Sequence, residues 1–386
     1  MRMEVKRLKC LYNGKVVGHL VENKSGKIMF QYDETWLKDG FSISPISLPL
    51  KKGIYICSKD LLNGLYGVFF DSLPDGWGEL VTRRALAKNG INYDKLSPLT
   101  KLSLVGTDGL GGLVYVPTKY QATENVNFDL DYLAVEMKKV LDSKETESLD
   151  QIYYYGGSSG GARPKAHIRV YDEEWIVKFP THREPDNIGE LEYKANMIAK
   201  ECGIKVVEYD LFKSNICSGY YGSKRFDRIG SKRIHTISLS SLLETSHRIP
   251  NLDYIHLFKV IHKICRNQED LYEAYRRMCF NVFYQNKDDH GKNFSFIYDE
   301  SIKSYTLSPA YDITKLPNKF EHEMTVNSNG NPTEDDLLAV CDIMNLQKDI
   351  CKKIISHIKD VIRKYKWYLW DYWLKSIVFL LFIYIK

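Results

Sequence analysis

The chain contains no C-x-x-C pair. Its eight cysteines (Cys10, Cys57, Cys202, Cys217, Cys265, Cys279, Cys341 and Cys351) lie scattered, without the histidine spacing of a zinc site. A zinc-ribbon or finger architecture is thereby excluded, and free thiols in a reducing, cytoplasmic setting are the simplest expectation. Long apolar runs are also missing. A membrane span needs about 20 apolar residues. The most apolar stretch, 376–385, is much shorter, and Asp371 and Lys375 interrupt the aromatic segment before it. This tail is expected to pack on a helical part of the protein rather than contact a membrane. Charge of one sign is scarce, since 54 Lys+Arg against 49 Asp+Glu leave only +5, too little to point to direct nucleic-acid binding. The basic residues near Met1 run into mixed polar sequence without an apolar core, so no signal peptide is expected.

What is present has ordinary globular proportions, with 44% apolar and 27% charged residues in 386, enough for two or three domains. Residues 5–56 alternate apolar and polar positions between turn signals at Asn13-Gly14, Ser25-Gly26 and Lys52-Gly53, the pattern of an antiparallel meander. The period becomes helical over 72–89. A Gly-rich segment (106–112) and a short strand (113–116) then precede a polar linker, 118–127. A helix over 129–141, a second Gly-rich loop (156–161), a strand pair (166–171 and 175–179) and a helix over 190–202 follow. Beyond about 230 the pattern is mostly helical (253–265, 270–286, 334–344, 348–366), with a hairpin at 294–298 and 304–307. Strand-rich sequence followed by helix-rich sequence predicts an α+β fold with two unlike lobes.

The familiar catalytic signatures are missing: no G-x-S-x-G, no Walker A, no H-R-D, and Tyr311-Asp312-Ile313 stands where D-F-G would. The densest polar cluster is Asn286-Lys-Asp-Asp-His-Gly-Lys-Asn293. Asp288 and Asn293 have the five-residue spacing at which a phosphotransfer loop holds a base and an amide oxygen for the metal, and Asp312 is placed to be a second Mg²⁺ ligand. In isolation such a pattern is most often a solvated turn, but upstream residues favour chemistry. Lys178 is a lone charge in an apolar strand, where an unpaired ammonium costs several kcal/mol. Glu192 either pairs with it or faces water. The loop Gly156-Gly-Ser-Ser-Gly-Gly161 exposes the backbone amides that a phosphate-covering loop uses.

In combination these motifs resemble the HipA-like serine/threonine kinases, toxin components of bacterial type II toxin–antitoxin systems. The likeness rests on Leu11 to Leu20, Ser44 to Leu50 and Phe69 to Gly78, then on Gly161-Ala-Arg-Pro-Lys165, Trp175 to Pro180, Arg225-Phe-Asp-Arg228, Asp288 to Ser295 and Pro309-Ala-Tyr-Asp312, in that order. It implies a two-lobed protein-kinase-like fold with a HipA N-terminal part (1–120), a kinase N-lobe (121–229) and a helical C-lobe (230–386). It further implies Asp288 as catalytic base and Asn293 and Asp312 as Mg²⁺ ligands. Lys178, Gly157, Ser159, Gly160, Gly161, Lys224, Phe226 and Asp227 would hold ATP, with Ser158 as an autophosphorylation site. The implied partners are a protein substrate such as an aminoacyl-tRNA synthetase and a helix-turn-helix antitoxin. Arg163 and Lys224 depart from the Gln and Glu that the family commonly carries. Two other readings remain: a catalytically weak corepressor bound to an antitoxin, and a lipid kinase at a membrane surface.

Overall fold

A computed structural model describes residues 4–57, 62–119 and 129–365. Most of the expected linker and the whole apolar tail lie outside these residues. The chain forms two compact units. The first contains residues 1–193, 207–249 and 294–308, and the second 194–206, 250–293 and 309–386.

In the first unit, β1 (Arg7–Tyr12), β2 (Lys15–Glu22), β3 (Ile28–Tyr32), α1 (Glu34–Asp39) and β4 (Tyr55–Ile56) realise the expected meander. Asn13 and Gly14 both have positive φ, as a tight β1–β2 hairpin turn requires. After α2 (Gly67–Phe70), α3 (Gly76–Lys88) and α4 (Pro98–Val105), strand β5 (Leu113–Val116) returns beside β1, giving an antiparallel sheet of order β4-β3-β2-β1-β5. Helix α4 is not anticipated by periodicity. Its signal is the start, where Ser97 accepts from Thr100 N and Pro98 takes the first turn.

Helices α5 (Leu130–Leu141) and α6 (Leu149–Gly156) lead into β6 (Lys165–Val170) and β7 (Glu173–Lys178). Then come α7 (Ile188–Glu201), which runs on into the second unit, β8 (Tyr209–Phe212) and β9 (Tyr220–Lys224), and the sheet order is β6-β7-β9-β8. The core under this sheet combines Ala166, Ile168, Val177, Phe179 and Tyr220 with Leu133, Met137 and Val140 of α5 and with Trp77 and Val81 of α3. The N-terminal part and the Gly-rich loop's sheet therefore share one apolar cluster. The hairpin 295–299/304–307 also belongs to this unit, pairing with Thr236–Ser238 while Tyr305 Oη donates to the Ser42 carbonyl at 2.7 Å.

After the short α8 (Leu239–Leu242) of the first unit, the second unit contains α9 (Tyr254–Ile264), α10 (Glu269–Tyr284), α11 (Glu334–Ile343) and α12 (Lys348–Lys364), close to the expected spans. Leu257, Phe258, Tyr275, Met278, Cys279, Cys351, Ile355 and Ile358 are buried here. Gln285 ends α10 in the left-handed region, and Asn286 N returns to Asn281 O at 2.9 Å, which turns the chain sharply into residues 286–293. None of the eight cysteines is bonded to another. Among the described residues, no helix is long and apolar enough to cross a membrane.

Candidate active site

In the first unit, strand β7 delivers Lys178 to a nearly closed environment, and α7 brings Glu192 to meet it. Lys178 Nζ contacts Glu192 Oε1, and the carboxylate is only 2% exposed. Of the two options open for Glu192, pairing is the one realised. The other carboxylate oxygen receives Arg163 Nη1 at 2.5 Å, while Arg163 Nε donates to Glu184 at 2.9 Å. Arg163 thus bridges two carboxylates, and one of them is the partner of Lys178. Lys178 Nζ also lies 5.5 Å from the centre of the Tyr221 ring.

The Gly-rich loop is fastened to the start of α3. Gly161 N donates to Asp75 Oδ1, Trp77 N donates to Gly161 O at 2.8 Å, and Lys165 Nζ reaches Gly160 O. Gly76 has φ +44°, and a Cβ there would collide with the Gly161 carbonyl; a Cβ on Gly78 would collide with that of Ser159. Close backbone approach is why both positions are glycine. Gly157 is buried, and its carbonyl accepts from Thr82 Oγ1 at 3.0 Å. The two serines differ. Ser159 is fully buried with its hydroxyl donated to Gly156 O at 2.6 Å, whereas Ser158 is half-buried and lines a pocket with Thr82, Tyr93, Lys101 and Tyr153. Asp75, Gly76, Gly78 and Lys165 hold the loop but were not among the expected site residues, although Asp75 to Gly78 end the Phe69 to Gly78 motif and Lys165 closes Gly161-Ala-Arg-Pro-Lys165.

The segment after β9 is more committed than its sequence suggests. Lys224 pairs with Glu173 at 3.1 Å and Glu208 at 3.3 Å, and the amides of Lys224 and Arg225 donate to Glu208 O and Glu174 O. Half-buried Phe226 follows them. Asp227 is buried and accepts from Arg225, from Arg228 Nη1 at 2.9 Å and from Gly111 N at 2.6 Å. Burial alone would raise its carboxyl, but the Arg225 and Arg228 guanidiniums, with the Arg225 and Gly111 hydrogen bonds, hold it well below the usual range. The Asp227 side chain thus ties the Gly-rich 106–112 segment to the Arg225–Arg228 turn.

In the second unit, Asp288, Asn293 and Asp312 come from adjoining segments. Asn293 Nδ2 donates to Asp288 O at 2.7 Å, and Tyr311 Oη donates to Lys292 O at 2.7 Å, which sets the residue before Asp312 against the end of the loop. Asp312 adopts φ +56°. Asp288 meets Lys319 Nζ at 3.4 Å. An amide oxygen and a carboxylate are hard donors that suit Mg²⁺, which keeps waters and substrate phosphates as its remaining ligands. Among the described residues, no group of three His, Cys, Asp or Glu suited to a metal occurs.

The HipA-like C-terminal domain matches residues 157–365 and the HipA N-terminal domain matches 8–116. A Sinorhizobium fredii protein named as a candidate kinase, Y4mE, is 25% identical over 345 residues, covering 81% of this chain and 77% of its own. A second from that organism, Y4dM, is 29% identical over 42% of each chain. Among solved structures, HipA from the Shewanella oneidensis HipA–HipB–operator DNA complex superimposes with a TM-score of 0.66 at 18% identity, covering 92% of this chain and 90% of that one. With its C-terminal domain match alone spanning more than half of the sequence, the chain belongs to the HipA-like family and has that family's kinase-like α+β fold.

Proposed function

We propose that the protein is an ATP-dependent serine/threonine protein kinase of the HipA toxin type. The observation that carries this reading is the buried Lys178–Glu192 pair beside a glycine-rich loop, in a chain that also retains Asp288, Asn293 and Asp312. In a kinase, such a pair fixes the ammonium that neutralises nucleotide phosphates. A corepressor without turnover would have no use for all four groups.

In this reading Lys178 binds phosphate oxygens, the 157–161 loop covers them, and Phe226 lies against the base. Asp288 orients the acceptor hydroxyl and takes its proton, while its carbonyl accepts from Asn293 Nδ2, so that the Asn293 amide oxygen would be the atom to hold a metal. Asn293 and Asp312 would hold Mg²⁺, which supplies charge neutralisation at the phosphates when bound. Ser158, rather than buried Ser159, is the loop's acceptor for autophosphorylation. The substrate is proposed to be a translation component such as an aminoacyl-tRNA synthetase, and the partner a helix-turn-helix antitoxin that carries the DNA contact. Incubation with Mg-ATP followed by mass spectrometry should place phosphate on Ser158 in wild type and none in Lys178→Met. A loop that stays unmodified under conditions of active turnover would remove Ser158 from the scheme.

A further inference from the structure

Residues 316–323 lie against the catalytic loop, and the contact has an organised centre. Asp289, next to the proposed base, is 1% exposed, and its carboxylate receives three donors. Tyr254 Oη donates at 2.8 Å, His322 Nδ1 at 2.8 Å and Glu323 N at 3.0 Å. His322 is itself buried, and its backbone N donates to Gly330 O at 3.0 Å. Tyr254 accepts from Asn281 Nδ2 at 2.8 Å, and Asn281 Oδ1 accepts from Asn286 Nδ2 at 3.0 Å. The chain of bonds starts on α10, passes through α9 and ends on Asp289. Around it, Leu316 N donates to Gln285 O at 3.0 Å, and Lys287 Nζ donates to the carbonyls of Lys319 at 2.9 Å and Phe320 at 3.2 Å.

A buried carboxylate with three donors cannot change rotamer without leaving at least one of them unpaired, which costs more than the bond itself is worth. Fixing the Asp289 side chain fixes its peptide, and the neighbouring Asp288 carbonyl is held independently by Asn293. The base is thus bracketed on both sides, while its own carboxylate meets only Lys319 among the partners described above.

We propose that Asp289 and His322 form a positioning pair that locks the catalytic loop to segment 316–323 and so sets the aim of Asp288. The proposal rests on the kinase reading for its catalytic consequence, but the tether itself can be tested without it. His322→Ala removes one donor, and His322→Asn returns an amide N–H close to the position of Nδ1 in a smaller side chain. Hydrogen exchange of the full chain should rise in His322→Ala at residues 286–293 and 316–323 only, and return most of the way in His322→Asn. In turnover with Mg-ATP, His322→Ala should lose about 100-fold in kcat, the order expected when a reacting group is misplaced by about an ångström, with KM for ATP within a factor of two. Asp289→Asn combined with His322→Ala should cost no more than the worse single variant.

Exchange that stays unchanged, or that rises throughout the second unit, would overturn the tether. Local exchange with normal kcat, a His322→Asn variant no better than His322→Ala, or additive losses would overturn its positioning role. A wild type without Asp288-dependent turnover would overturn the kinase reading and the catalytic role of the pair together, while the exchange result would still decide the tether.

Discussion

The Gly-rich loop and the catalytic loop are held by different means. Residues 156–161 approach the start of α3 backbone to backbone, made possible by what Gly76 and Gly78 lack, and the Asp75, Thr82 and Lys165 side chains bond to the loop's amides and carbonyls. Residues 286–293 are held through side chains, the Asn286 amide and Asp289 carboxylate joining the Asn281 amide, the Tyr254 hydroxyl and the His322 imidazole in a network out of water. The first arrangement tolerates no added carbon, and the second tolerates no lost donor. In the proposed function the first loop would cover a nucleotide and the second would aim a base.

Lys178→Met tests the charged counterpart of both and should have the largest effect. Removing the ammonium proposed to bind phosphate should lower kcat by about 100- to 1,000-fold, measured as phosphate transferred per minute, with the fold unchanged by circular dichroism. Asp227→Asn removes the buried carboxylate that Arg225 and Arg228 share, leaving the more exposed Glu174 as the carboxylate paired with both, and should lower stability by about 3 kcal/mol at neutral pH in urea melts. Because the Asp227 carboxyl is depressed in the fold, its contribution is fully present above the ordinary carboxyl range and fades as pH falls below about 4. Wild type and variant should therefore converge in acid, and a gap that stays constant to pH 3 would refute the ion cluster.

Gly78→Val sharpens the contrast between the loops. Pushing a side chain into the Ser159 carbonyl should cost about 1–3 kcal/mol and speed proteolytic nicking at 156–161 while leaving protection at 286–293 intact. Equal loosening of both loops would show that they are not independently held. Arg163→Gln should be the mildest change. Glu192 keeps Lys178, so kcat should fall by less than about 10-fold.

Much of this was legible in the sequence because the chemistry is local in the chain. Asp288 with Asn293, the 156–161 loop, the β6–β7 pair and the four long helices of the second unit all announce themselves through spacing or period. Partnerships between distant residues did not. Asp75 meets Gly161, Gly111 meets Asp227 and Asp289 meets His322 across stretches with no shared period, and no spacing rule links them. Glu192 sat between the two kinds. Its helix was readable, but the face it presents to Lys178 was fixed only by packing against β7. Asp227 is a related case, since nothing in the spacing of an Arg-Phe-Asp-Arg motif says that its two guanidiniums fold back onto the carboxylate.

The central claim is that Asp288 is the base of an ATP-dependent kinase. Wild type and Asp288→Asn should be incubated with γ-labelled Mg-ATP and a bacterial cytosolic lysate, with ATP affinity measured alongside. The account requires labelled protein bands with wild type, none with Asp288→Asn, and ATP affinity within a few-fold in both. A cleanly folded Asp288→Asn that labels the same bands at the wild-type rate would contradict it.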